Sequence, residues 1–173
     1  MSSETKSKSE SAANCVKARA LLQQCLSARL LVQPKTDDKD AEFVEIGRGL
    51  IAYVCFMKGS NEELVDRMVK SILNVRLSEN EAGKLVSIMD LPGDVLIIPQ
   101  ATLGGSMKGK CMQYHKNIAK DEGQLLYTRF VNICRNTVQK QNQECTVQNG
   151  TYGNRQVLST VTNGPFSHFL EFS

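Results

Sequence analysis

Apolar residues divide this chain into short runs of two kinds, one recurring every three or four positions and one continuous or alternating. The clearest of the first kind is Leu64, Val65, Met68, Val69, Ile72 and Leu73, which predicts an amphipathic helix. Ser60-Asn61-Glu62-Glu63 ahead of it has the form of a capping box with Ser60 as N-cap. A second helix is predicted from Gln124 to Val138, with Leu126, Phe130, Ile133, Cys134 and Val138 on one face. Leu50 to Phe56 is apolar throughout, as in a buried strand. Phe43 to Met57 as a whole reads as two short strands around a bend at Gly47-Arg48-Gly49. Leu77 to Asp90 reads as a turn-rich hairpin about Ala82-Gly83, and Pro92-Gly93 launches a strand from Asp94 to Ile98. Val16 to Val32 fits both templates. Ala18, Leu21, Leu22, Cys25 and Leu26 have helical spacing, whereas Leu26, Ala28, Leu30 and Val32 alternate, and pattern with propensity leans to helix.

Toward the C-terminus two strand-like runs, Arg155 to Val161 and Phe166 to Phe172, flank Thr162-Asn163-Gly164-Pro165-Phe166-Ser167-His168. Gly164 reaches backbone angles closed to other residues, and Pro165 fixes its own φ and donates no hydrogen bond. Such a pair aims its carbonyls in a fixed direction, or forms an ordinary turn. Gln139 to Asn154 is polar and reads as irregular. Residues 1–14, rich in Ser, Lys and Glu, read as a disordered tail ahead of one domain, 15–173. Helices among several strands, without a βαβ rhythm or a glycine-rich phosphate loop, predict an α+β fold with a curled, barrel-like sheet and two main helices.

Composition narrows the function classes. A chain of 173 residues, 41% of them hydrophobic, suits one domain with a substantial core. A formal net charge of +3 permits a polyanionic partner without requiring one. No apolar run has the length of a membrane span and no signal-peptide core follows Met1, so the cytosol is expected. The six cysteines form no CxxC pair and have no zinc-ligand spacing, so they read as reduced thiols, several of them buried. The two histidines come with no carboxylate cluster, and neither a metal nor another cofactor is expected.

Pro99-Gln100-Ala101-Thr102-Leu103, directly after Val95-Leu96-Ile97-Ile98, changes the picture when set beside the Gly164-Pro165 turn. Together the two stretches resemble the D-aminoacyl-tRNA deacylase superfamily, whose signatures read Ser-Gln-Phe-Thr-Leu and Asn-x-Gly-Pro-Val-Thr. The variants here are more similar to its animal-specific tRNA deacylase branch, and the resemblance runs from about Val16 to the last residues. It implies two strands for Val16 to Val32. It also implies the α+β architecture already expected, and a homodimer with sites near the subunit interface.

A Ser-His hydrolase is disfavoured by the residues themselves. Ser167 and His168 are adjacent on a strand and point to opposite faces, and there is no Gly-x-Ser-x-Gly elbow. The resemblance implies instead a deacylase whose substrate, the aminoacyl ester at the tRNA 3′ end, is hydrolysed with help from the tRNA's own 2′-hydroxyl. The protein then supplies position and oxyanion donors. By resemblance, Gln100, Ala101 and Thr102 are the catalytic positions, through the backbone N–H groups of Ala101 and Thr102 and the side chains of Gln100 and Thr102. Pro99, Leu103, Asn163, Gly164, Pro165 and Phe166 are the substrate-binding ones. Gly164-Pro165 is implied to act as the selectivity gate, its trans form in the animal branch admitting a small L-residue. The implied substrates are L-alanyl-tRNA(Thr) and D-aminoacyl-tRNA. Ala101, where relatives carry Phe, agrees with a roomier pocket, whereas Thr162 and Pro99 replace Asn and Ser, and Pro99 has no N–H to donate. Lys108, Lys110 and Lys116, with Lys120, lie in a stretch free of acidic residues before Asp121. They read either as a solvated loop or as contacts to acceptor-stem phosphates. A non-catalytic tRNA-binding module and a non-RNA interaction domain are the other classes that fit.

Overall fold

A computed structural model describes residues 15–173, and the tail expected over 1–14 lies outside the described residues. In chain order the strands are β1 (Ala18–Cys25), β2 (Ser27–Gln33), β3 (Glu42–Ile46), β4 (Gly49–Phe56), β5 (Ser78–Glu79), β6 (Leu85–Val86), β7 (Asp94–Pro99), β8 (Ser106–Lys108), β9 (Cys111–Gln113), β10 (Val147–Asn149), β11 (Leu158–Val161) and β12 (Ser167–Phe172). Helix α1 (Glu62–Asn74) follows β4, a single 3₁₀ turn (Ala101–Gly104) follows β7, and helix α2 (Lys120–Gln141) follows β9. The five-stranded sheet runs β10-β7-β4-β1-β12, and a three-stranded sheet runs β11-β2-β3. Two small hairpins, β5-β6 and β8-β9, complete the set.

The two helices pack on one face of the larger sheet and the smaller sheet packs on the other. Strand periodicity divides the residues between these layers. Leu50, Ala52, Val54 and Phe56 of β4 join Val95 and Ile97 of β7 beneath Val65, Met68, Ile72 and Phe130 of the helices. Ile51, Leu96 and Ile98, on the opposite face, meet Ala28, Leu30 and Ile46 of the smaller sheet. Strand β4 is therefore apolar at every position because it is buried on both sides. The chain changes sheet between β1 and β2 across the single residue Leu26, whose N–H bonds the carbonyl of Val161. The curl of the β-structure comes from that corner, and the sheets do not close into a barrel.

The fold is α+β as the pattern predicts, with corrections in detail. Val16 to Val32 contains the two strands β1 and β2, because β1 finds partners on both edges, β4 and β12, and pairing outweighs helix propensity. Asn61, not Ser60, caps α1: its Oδ1 accepts the N–H of Leu64 at 2.9 Å, while the hydroxyl of Ser60 donates to the carbonyl of Lys17 at 2.6 Å. Helix α2 exceeds its predicted span at both ends, with Asp121 and Glu122 in a first turn whose dipole favours them. Gln139 to Asn154 is not wholly irregular, since β10 pairs in parallel with β7. A βαβ rhythm is present after all: β4, β7 and β10 are parallel neighbours joined through α1 and α2. The β5-β6 and β8-β9 hairpins, inserted in the two connections, obscure it in the sequence. Finally, β11 and β12 belong to different sheets, so the Gly164-Pro165 segment is a crossing between layers and not a hairpin.

Candidate functional site

Strand β7 stops at Pro99, and the chain turns at once. The N–H of Gln100 still reaches the carbonyl of Val54 at 2.8 Å, after which Ala101–Gly104 close one 3₁₀ turn. The first N–H groups of such a turn point away from its own carbonyls. Those of Ala101 and Thr102 donate to no loop carbonyl and to no side chain among the described residues. The side-chain amide of Gln100 donates to the hydroxyl of Thr102 at 3.0 Å, which ties the two polar side chains of the turn together.

The turn is clamped from behind. Asn117 donates its side-chain amide to the carbonyl of Ala101 at 2.8 Å, and Asn117 is itself placed by a 3.0 Å bond from its N–H to the carbonyl of Tyr114. Gly104 makes the clamp possible, since a Cβ there would stand 1.7 Å from Oδ1 of Asn117. Arg19 of β1 donates to the carbonyl of Leu103 at 2.9 Å and pairs with Glu171 at 3.0 Å. Beneath the turn the thiol of Cys55 lies 3.7 Å from the carbonyl of Ala101. Burial pushes the Cys55 thiol up, away from the thiolate form that a nucleophile needs.

In front of the turn is a cavity of about 570 Å³. Pro99, Gln100, Ala101 and Thr102 form one wall, Asn117, Ile118 and Lys120 a second, and the loop from Tyr152 to Arg155 a third. That loop is anchored by Tyr152, whose ring lies 5.5 Å from the ring of Tyr127 at the foot of the core. The hydroxyl of Tyr127 sits 2.8 Å from the carbonyl of Gly150 and 3.1 Å from that of Ile97, so β7 and the loop are held to the same helix. Among the described residues no histidine, aspartate or glutamate lines the cavity; its polar groups are amides, a threonine hydroxyl, a thiol, a phenol and the cations of Lys120 and Arg155. Among the described residues no three His, Cys, Asp or Glu side chains are gathered to hold a metal ion.

The second stretch singled out in the sequence lies elsewhere. Asn163, Gly164, Pro165 and Phe166 do not line the cavity, and neither does Leu103. Gly164 has φ 141°, open to glycine alone, and its carbonyl accepts from Gln23 of β1 at 3.3 Å. The Gly164-Pro165 bond is trans. Gln23 and Arg19 point to the same face of β1, four residues or about 13 Å apart, so the two stretches border one sheet face without touching. Lys108, Lys110 and Lys116 are exposed on or just after the β8-β9 hairpin, beside the cavity but outside its lining. His168 packs at 6.2 Å from the ring of Phe166, with Nδ1 buried and without a hydrogen-bond partner among the described residues. Asn117, Tyr152 and Arg155 were not legible as site residues; none carries a motif, and only the fold brings them to the turn.

The family model for D-Tyr-tRNA(Tyr) deacylase matches residues 21–171. A human protein named D-aminoacyl-tRNA deacylase 2 is 58% identical over 160 residues, covering 90% of this chain and 95% of its own length. The zebrafish protein of the same name is 54% identical, with 91% and 100% covered. A solved structure described as a probable eukaryotic D-amino acid tRNA deacylase superposes with a TM-score of 0.76 at 28% identity, over 90% of this chain and 99% of its own. The chain thus belongs to the D-aminoacyl-tRNA deacylase family of ester hydrolases, in its animal D-aminoacyl-tRNA deacylase 2-like branch.

Proposed function

We propose that the cavity receives the aminoacylated terminal adenosine of a tRNA, and that the protein clears L-alanine from tRNA(Thr) as well as D-amino acids from their tRNAs. The observation that carries this reading is a lining with donors and cations but no carboxylate or imidazole. Such a site lacks the imidazole and carboxylate groups that most often serve as general bases. It suits a substrate that carries its own assisting group, the 2′-hydroxyl next to the ester. The free N–H groups of Ala101 and Thr102 then stabilise the developing oxyanion. Gln100 and Thr102 hold the ribose and ester, Pro99 and Leu103 shape the turn, and Lys120 and Arg155 meet the terminal phosphates. Lys108, Lys110 and Lys116 extend the cationic surface toward the acceptor stem.

Selectivity is assigned to Ala101 and to the trans Gly164-Pro165 turn, with Asn163 and Phe166 at its sides. A methyl group at position 101 leaves space for a small L-side chain. Because the Gly164-Pro165 turn does not line the cavity of its own chain, a gate formed by it acts across a dimer. The exposed Phe166, Phe169 and Val161, at 60%, 52% and 56%, offer an apolar surface for a second copy beside β12, the edge strand of the larger sheet among the described residues. No helix among the described residues is long and apolar enough to cross a membrane, and a cytosolic setting beside the translation machinery fits this task.

The test is incubation of the purified protein with labelled L-alanyl-tRNA(Thr), L-threonyl-tRNA(Thr) and one D-aminoacyl-tRNA. Loss of label from the first and third, with the second retained, is the expected result. Binding of all three with no hydrolysis above the spontaneous rate would make the protein a tRNA-binding module instead.

A further inference from the structure

Between the cavity and α2 the chain makes a feature that the deacylase reading leaves unused. The β8-β9 hairpin carries Met107 and Met112 opposite each other, 77% and 51% exposed, and Tyr114 follows at 41%. Large apolar side chains on a small exposed hairpin bury little of their own fold, and here they are interleaved with Lys108, Lys110 and Lys116. Tyr114 and Met112 are not free to wander. A Cβ on Gly105 would stand 2.7 Å from Cε1 of Tyr114 and 2.8 Å from Cε of Met112, so both side chains rest on the backbone that leaves the 3₁₀ turn. Tyr114 also leads directly into the Asn117 clamp through the bond from the N–H of Asn117 to its carbonyl.

A fixed, half-exposed aromatic ring flanked by a flexible thioether and three cations is the composition that binds single-stranded nucleic acid. The ring stacks a base and the cations meet the phosphates on either side. We infer that Tyr114, with Met112 beside it, is the stacking platform for the base next to the terminal adenosine of the tRNA. This rests on the deacylase reading, which puts the terminal adenosine in the cavity. The single-stranded end then leaves between the turn and the hairpin, where the charge is positive and no acidic residue occurs from Ser106 to Lys120. Tyr114 is a positioning residue: it touches the nucleotide that follows the reacting one, not the ester.

The experiment compares wild type, Tyr114→Ala and Tyr114→Phe on an aminoacyl-tRNA and on the corresponding 3′-aminoacyl-adenosine, which lacks the stacked base. Truncation of a stacking side chain is expected to raise KM for the tRNA roughly 5- to 150-fold. Turnover at saturation and hydrolysis of aminoacyl-adenosine stay at wild-type values, and Tyr114→Phe behaves as wild type on both. Equal losses of Tyr114→Ala on the two substrates would mean that the ring merely supports the turn, and an unchanged KM on tRNA would mean that it contacts nothing; either overturns the inference. A separate arm measures binding of uncharged tRNA with an intact CCA end against tRNA trimmed of its last three nucleotides. Wild type should prefer the intact end and Tyr114→Ala should lose the part of that preference that the stacked base supplies, whether or not hydrolysis is seen. Absence of hydrolysis by wild type would therefore sink the deacylase reading, and a preference no smaller in Tyr114→Ala than in wild type would sink the platform.

Discussion

The clamp behind the 3₁₀ turn gives a sharp prediction, because one methyl group should undo it. Replacing Gly104 with Ala places Cβ 1.7 Å from Oδ1 and 2.8 Å from Cγ of Asn117, and 3.1 Å from Sγ of Cys55. The backbone at Gly104 needs no left-handed angle, so the cost is steric. Asn117 has to withdraw and give up its 2.8 Å bond to the carbonyl of Ala101. Overpacking of this kind costs roughly 1–3 kcal/mol, and the lost hydrogen bond adds about 1 kcal/mol. For a chain of this size that corresponds to a fall in Tm of roughly 4–16 °C. The N–H groups of Ala101 and Thr102 shift with the turn, and a displacement near 1 Å can cost on the order of 100-fold in turnover. Asn117→Ala removes the same bond without the clash. It should cost about 1 kcal/mol and lower kcat in the same direction. The two changes act through one contact, so the double variant should be no slower than Gly104→Ala alone and should recover part of its lost Tm. Calorimetry and single-turnover deacylation read both quantities. Turnover within twofold of wild type in Gly104→Ala, or fully additive losses in the double variant, would refute the clamp.

Gln100→Ala and Thr102→Ala should each slow deacylation, Thr102→Ala more, because it loses a hydroxyl and the partner that fixes the Gln100 amide at 3.0 Å; unchanged turnover in both would remove these side chains from the site. Lys120→Ala and Arg155→Ala should each weaken tRNA binding across all tRNA sequences and lower the salt dependence by about one unit of slope, measured by titration at several salt concentrations. An unchanged slope would mean that these cations meet no phosphate. Burial pushes the Cys134 thiol from its ordinary 9.0 up to about 12. The folded form then holds a proton that the unfolded form releases first. Its contribution to stability is complete below pH 9 and is lost as pH rises toward 12. Denaturant unfolding at pH 8 and pH 10 should show a smaller loss in Cys134→Ala than in wild type, and equal losses would contradict the assignment.

How much was legible in the sequence differs from element to element. Helix α1 could be read at once because its six buried residues fall on one stripe of a helix whose other face is polar. Strand β4 could be read as buried because no polar residue interrupts Leu50 to Phe56. Its neighbour β10 could not, since Val147 is the single apolar residue of Val147–Asn149 and the strand exists because β7 offers it an edge. The N-cap was misplaced by one residue because Ser60 and Asn61 are both good caps. The tertiary demand of the Lys17 carbonyl took the serine hydroxyl.

The chain by itself determined its helices, its apolar strands and the two stretches around Gln100 and Gly164, because those depend on periodicity and on residue types close together in sequence. The tertiary structure alone decided that Asn117, Lys120, Tyr152 and Arg155 meet Gln100, Ala101 and Thr102 around one cavity, and that Gly164 stays out of it. These contacts join segments up to 55 residues apart whose meeting is fixed by β7, the strand that ends at Pro99, and by the helix that follows. Local pattern carries no record of such a meeting. Only the packing of two sheets and two helices brings those backbone and side-chain groups within reach of each other.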